Sequence, residues 1–141
     1  MAQYDLDRFL KRQARNYDAA LREIRDGCKR SHWMWYVFPQ IQGLGYSSTA
    51  QYYAIRDLGE AKAYLQHPIL RERLLEISNA LLALDTHSAS EVFGWPDDMK
   101  LRSSMTLFAE AEPDCEVFQR VLDQYFHGKK DDNTLAILAT L

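Results

Sequence analysis

"PILRERLLEISNALLAL", residues 68–84, decides the class of fold. Its apolar residues Leu70, Leu74, Ile77, Leu81 and Leu84 recur at alternating steps of four and three, the spacing that lines one face of an α-helix. Pro68 suits the first turn of that helix, where its missing N–H removes no intrahelical bond. Such a stripe must be covered by other elements, and the rest of the chain supplies more of the same kind.

Toward the N-terminus, Leu6, Phe9, Leu10, Ala14, Tyr17, Leu21 and Ile24 form a second helical stripe, with Asp5 as an N-cap and Gly27 beyond its end. Between the two, "STAQYYAIRDLGEAKAYLQ" (48–66) starts at Ser48 or Thr49, weakens at Gly59 and reads as two short helices. On the C-terminal side Ser88 and Glu91 form a capping-box pattern for a short helix ending near Gly94. Asp97 or Asp98 caps a longer helix carrying Leu101, Met105 and Phe108, with Pro113 just past its end. "CEVFQRVLDQYF" (115–126) repeats the pattern through Val117, Val121, Leu122 and Tyr125 and closes at Gly128, and "DNTLAILATL" (132–141) adds a last turn or two. No sustained period-two alternation occurs, and only "YVF" (36–38) is rich in strand-favouring residues. The expectation is an all-α protein, one domain over residues 1–141 with about six to eight helices of ordinary length.

Composition bounds the partners. A chain of 141 residues with 47% hydrophobic and 26% charged residues is long enough for one core. A net charge of −3 argues against broad adhesion to nucleic acid or to an anionic membrane, though a local basic patch can still hold a phosphate. The start, "MAQYDLDRFLKRQ", meets an acid by Asp5 and has no apolar run, so neither a secretory leader nor a membrane span is expected, and the cytoplasm is the default compartment. Cys28 and Cys115 are isolated and read as reduced thiols. His67, His87 and His127 are widely spaced beside Pro68, Ser88 and Gly128, positions of helix ends, and no metal-binding spacing is present. No cofactor motif is present either, and nothing sets the oligomeric state.

Two stretches concentrate unusual chemistry. "SHWMWYVFPQIQGLG" (31–45) holds Trp33 and Trp35 two positions apart, on opposite sides of a strand or about 200° apart on a helix. They cannot both face one core surface unless the segment is irregular, so at least one ring is left for a cleft, where it can stack on a planar ligand. Core packing is the competing reading for both rings. Lys29 and Arg30, followed by Ser31 at a helix start, form a candidate phosphate seat or simply a solvated pair. His32 is a candidate general acid or base, or a ligand-orienting group. "FPQIQGLG" (38–45) contributes Pro39, Gly43 and Gly45 as a pocket-shaping loop without nucleotide-loop spacing. The second stretch, "GWPDDMKLRSSM" (94–105), presents Asp97, Asp98, Lys100, Arg102, Ser103 and Ser104 within about two helical turns. Its carboxylates can polarise water or stabilise a cationic transition state, with Asp98 and Arg102 the leading candidates. Helix capping and solvation are the competing explanation.

These same runs, SHWMW-x-x-FPQ-x-x-GLG and PDD-x-K-x-RSSMTLF, closely resemble the bacterial family named domain of unknown function eighteen-ten, over essentially the whole chain. That resemblance implies a mostly helical domain and no assigned activity. A more distant likeness is to the NADAR superfamily, which implies N-glycosidic cleavage of ADP-ribose-like or riboflavin-pathway compounds. There "TAQYYAI" (49–55) corresponds to a Glu-His-Tyr-Tyr-like run and "DDMKLRSSM" (97–105) to a lysine-bearing helix, but Ala50 and Gln51 stand where the catalytic glutamate and histidine fall. Activity would then rest on Asp97, Asp98 or another carboxylate.

Two functions follow as expectations. One is a small-molecule site for a phosphorylated nucleoside or ADP-ribose-like ligand, with or without N-glycosidic cleavage. It uses Lys29, Arg30, Ser31, Trp33, Trp35, Lys100 and Arg102 for binding and Asp98, Asp97 and His32 for catalysis. The other is a protein-interaction module in which the aromatics are core or partner surface.

Overall fold

The structure, a computed structural model, describes residues 4–141. The reading of the chain's start includes residues 1–3, which lie outside the described residues. Nine helices are present among the described residues: α1 (Asp7–Arg25), α2 (Met34–Val37), α3 (Ser48–Tyr53), α4 (Leu58–Gln66), α5 (Pro68–Leu82), α6 (Ala89–Phe93), α7 (Asp97–Ala111), α8 (Glu116–Phe126) and α9 (Asp132–Thr140). The fold is all-α, with a count above the expected six to eight because three of the helices, α2, α3 and α6, are no longer than six residues. In place of a sheet, the described residues hold one isolated parallel bridge, Ile41 to Ile55. That bridge, rather than Gly59, divides the 48–66 segment: extended Ala54 ends α3, and the Asp57 carboxylate caps α4 at Glu60 N–H.

α7 is the centre of the molecule. Leu101 and residues 103–109 are buried, a helix enclosed nearly all round, so it packs on α8, α4, α6 and α9 while α1 lies on α5 and α5 on α8. Phe108 of α7 meets Tyr64 of α4 and Phe118 of α8 at ring-centroid distances of 5.2 and 5.7 Å. The α5 stripe behaves as its spacing requires, burying Leu70, Leu74, Ile77 and Leu81.

Local signals place the ends with small shifts. Ser88 accepts from Glu91 N–H, one half of the capping box, while Thr86 takes the other half by accepting from Ser88 N–H and donating to the Glu91 carboxylate, and His127 takes a left-handed conformation (φ 55°) that ends α8 one residue before Gly128. His67 precedes Pro68 and accepts from Ile69 N–H through its ring, and His87 contacts the Gln124 carbonyl at 3.1 Å, so these histidines do sit at helix boundaries. Leu6 rather than Asp5 holds the cap position of α1, and Ser47 rather than Ser48 or Thr49 caps α3. Pro96 takes the cap position of α7, so Asp97 and Asp98 are first-turn residues whose negative charge favours the helix N-terminus. α9 is nine residues long, more than the turn or two expected, because Asp131 caps it through Thr134. Among the described residues, no helix is long and apolar enough to cross a membrane.

Candidate functional site

The aromatic segment divides at its two tryptophans. Trp33, just before α2, is 1% exposed and its indole N–H donates to Glu23 at 2.9 Å, while its ring packs on Phe38 and Phe93. Trp35, two residues on, is half-buried on the wall of an open cleft. The two rings thus part, one to the core and one to a cavity.

Glu23 explains the loop before α2. Its buried carboxylate accepts from Arg30 N–H (2.7 Å), Ser31 N–H (2.9 Å), the Ser31 hydroxyl (2.5 Å) and the Trp33 indole. Burial pushes this carboxyl up, but the donors from Ser31, Arg30 and Trp33 outweigh it and hold the group down at about 2. The backbone donors expected to seat a phosphate at Arg30 and Ser31 are therefore occupied by the protein's own carboxylate. Arg30's guanidinium pairs with Asp26 in solvent.

The two sequence runs meet where Lys100 lies over Trp35, and Asp97 beside it reaches back to Lys29, just ahead of the first run. The Asp97 carboxylate lies 2.9 Å from the largely buried Lys29 ammonium and 3.3 Å from that of Lys100. Lys29 also sits 5.1 Å over the Trp33 ring and Lys100 4.9 Å over the Trp35 ring, so a chain of charge and aromatic contacts runs Trp33, Lys29, Asp97, Lys100, Trp35. Asp98 stays within its own first turn, accepting from Met99 N–H. Arg102 turns to the α8–α9 loop and donates to the carbonyls of Lys129 and Lys130. His32 is exposed, and its carbonyl accepts from the Tyr36 hydroxyl.

The cleft has a volume of about 450 Å³, within the range of small-molecule sites. Trp35, Lys100, Pro96 and Met99 line one side, the 44–47 loop with Tyr46 and the α3 residue Ala50 another, and Gln40, Ser103, Asp131 and Asn133 supply polar groups. Gly45 lets the loop lie on α3: a Cβ there would stand 2.6 Å from that of Ala50. Asp131 Oδ2 accepts from Ser103, from Thr134 N–H and from the Thr134 hydroxyl. Of the sequence-derived candidates, then, Trp35 and Lys100 line the cleft and Asp97 stands behind Lys100. Lys29, Arg30, Ser31, Trp33, Asp98, Arg102 and His32 do not line it.

Tyr46, Gln40, Ser103, Asp131 and Asn133 were not singled out for binding by the sequence. Tyr46 adjoins the glycine loop that was, but Asp131 and Asn133 reach the site only because α9 packs on α7. Among the described residues, no group of three or more His, Cys, Asp or Glu side chains is placed to hold a metal.

No match was found among curated proteins, and none of the comparisons carries the NADAR likeness. The chain is similar to a solved structure, the conserved hypothetical protein Rv1873 from Mycobacterium tuberculosis. The two share 48% sequence identity and a TM-score of 0.94, over 96% of this chain and 97% of that one. Residues 3–138 match the family described as Protein of unknown function (DUF1810). With nearly its whole length matched and its fold shared, this chain belongs to the DUF1810 family.

Proposed function

We propose that the chain binds a small molecule of the phosphorylated-nucleoside or ADP-ribose class in the cleft between the 44–47 loop and the first turns of α7. The observation that carries this reading is the half-buried Trp35 ring with the Lys100 ammonium 4.9 Å above it, on the wall of a cavity of about 450 Å³. Trp35 and Tyr46 offer aromatic surface to a planar ring, Lys100 offers a positive charge to a phosphate, and Gln40, Ser103 and Asn133 offer hydrogen bonds to a sugar. Because Lys100 shares its charge with Asp97, a single phosphate suits the site better than a long polyanion.

Binding is better supported than cleavage. An N-glycosidic step requires a carboxylate facing the sugar. Asp97 is held by two ammonium groups and Asp98 lies outside the cleft, which leaves Asp131 as the carboxylate on the wall. A cytoplasmic setting agrees with the free thiols Cys28 and Cys115.

Thermal-shift titration with AMP, NAD and ADP-ribose is the test. A ligand at a hundred times its dissociation constant stabilises the fold by about 2.7 kcal/mol. The AMP shift is expected to vanish in Lys100→Ala and Tyr46→Ala, and free base, followed by chromatography, should not accumulate from NAD or ADP-ribose. Absence of any shift at millimolar ligand removes this reading in favour of a protein-interaction surface. That second reading rests on Trp95, 81% exposed beside Pro96, and on Tyr46, 86% exposed.

A further inference from the structure

A second cavity lies on the surface of α1, apart from the cleft at Trp35. It has a volume of about 420 Å³ and is lined by Arg8, Lys11, Arg12 and Arg15 together with Tyr52 and Tyr53. The four cations fall at i, i+3, i+4 and i+7, which places them on one face of the helix. They do not play one part. Arg8 uses every donor internally, on the carbonyls of Asp5, Tyr52 and Ala54 and on both oxygens of buried Glu60, so its charge is matched and it fastens α3 beside α1. Lys11, Arg12 and Arg15 are exposed and form no ion pair among the described residues; Asp7 and Asp18 flank the stripe on α1 without bridging to it.

Like charges at i, i+3 and i+4 disfavour a helix, and here they are held together in a chain of net charge −3. The other wall is aromatic. Tyr53 is anchored against Phe9 and Tyr36, and Tyr52, 58% exposed, stands edge-on to it with ring centroids 4.8 Å apart. A ring fixed at the side of a three-charge groove can stack on a planar group while the cations hold the negative charge next to it.

We propose that this groove is a site for an oligophosphate ester bearing a planar ring, the chemistry of a nucleoside di- or triphosphate. Lys11, Arg12 and Arg15 bind the phosphates, Tyr52 stacks on the ring, and Arg8 is a positioning residue. The compact cavity and the acidic whole favour a single small anion over a polynucleotide. This site is separate from the cleft at Trp35 and does not depend on it.

Isothermal titration calorimetry with ATP, tripolyphosphate, adenosine and a single-stranded oligouridylate tests the proposal on the full chain. ATP should bind more tightly than tripolyphosphate, and adenosine should not bind detectably. Affinity for ATP should fall roughly tenfold or more in Arg12→Ala/Arg15→Ala and in the milder Lys11→Gln. It should fall toward that of tripolyphosphate in Tyr52→Ala and stay unchanged in Lys100→Ala, with helix content checked by circular dichroism throughout. The proposal is overturned by no ATP binding at millimolar concentration, or by ATP binding that survives both cation variants in folded protein. It is equally overturned if tripolyphosphate matches ATP with Tyr52→Ala without effect, or if the oligouridylate binds more tightly than ATP.

Discussion

Glu23 turns a loop into part of the fold. Three separate residues of the 30–33 segment donate to its carboxylate, and each would be left short if it lost its charge. Its carboxyl is held at about 2 against an ordinary value of 4.5, so the stabilisation is complete above pH 4.5 and is lost as pH falls through 2. Glu23→Gln should therefore cost about 1.5–3 kcal/mol at neutral pH and flatten the acid limb between those values, measured by urea unfolding across pH. None of this was visible in the sequence, where Glu23 stands on the last turns of a helix with Gly27 between it and its donors. What could be read was the divergence of Trp33 and Trp35, since residues two apart cannot share a helix face.

At the scale of elements, stripes and caps were readable because both are local. α5, α7 and α8 lie where their apolar spacing puts them, and Ser88 caps α6 as written, although the Glu91 carboxylate reaches Thr86 rather than Ser88 N–H. The division of the 48–66 segment was anticipated, but not its place, because Ile55 pairs with Ile41 across an intervening loop. The cleft was only half readable for the same reason. Trp35 and Lys100 belong to conspicuous runs, whereas Asp131 and Asn133 arrive from a separate helix. The loop that completes the wall depends on a side chain being absent: a methyl group at Gly45 would meet that of Ala50 at 2.6 Å. Gly45→Ala should displace the loop, destabilise the protein by about 1–3 kcal/mol and weaken ligand binding in the cleft, read by thermal unfolding with and without AMP.

Across the whole molecule, α7 joins the parts. Phe108 is fully buried between α4 and α8, and truncation to alanine should cost about 3–5 kcal/mol and lower both helices' stability together, visible as one cooperative transition in calorimetry. The same helix carries Lys100 at its first turns, so the cleft is fixed to the most enclosed element of the protein. Arg8 has a different reach. Its guanidinium is enclosed, with its donors consumed by carbonyls and by Glu60, whereas its three neighbours on the stripe face water. Dissolved ions screen exposed charges over about 8 Å at physiological ionic strength and buried pairs far less. Added salt should thus silence the groove's field while leaving in place the clamp that shapes it, which separates the attraction of an anion from the architecture that receives it.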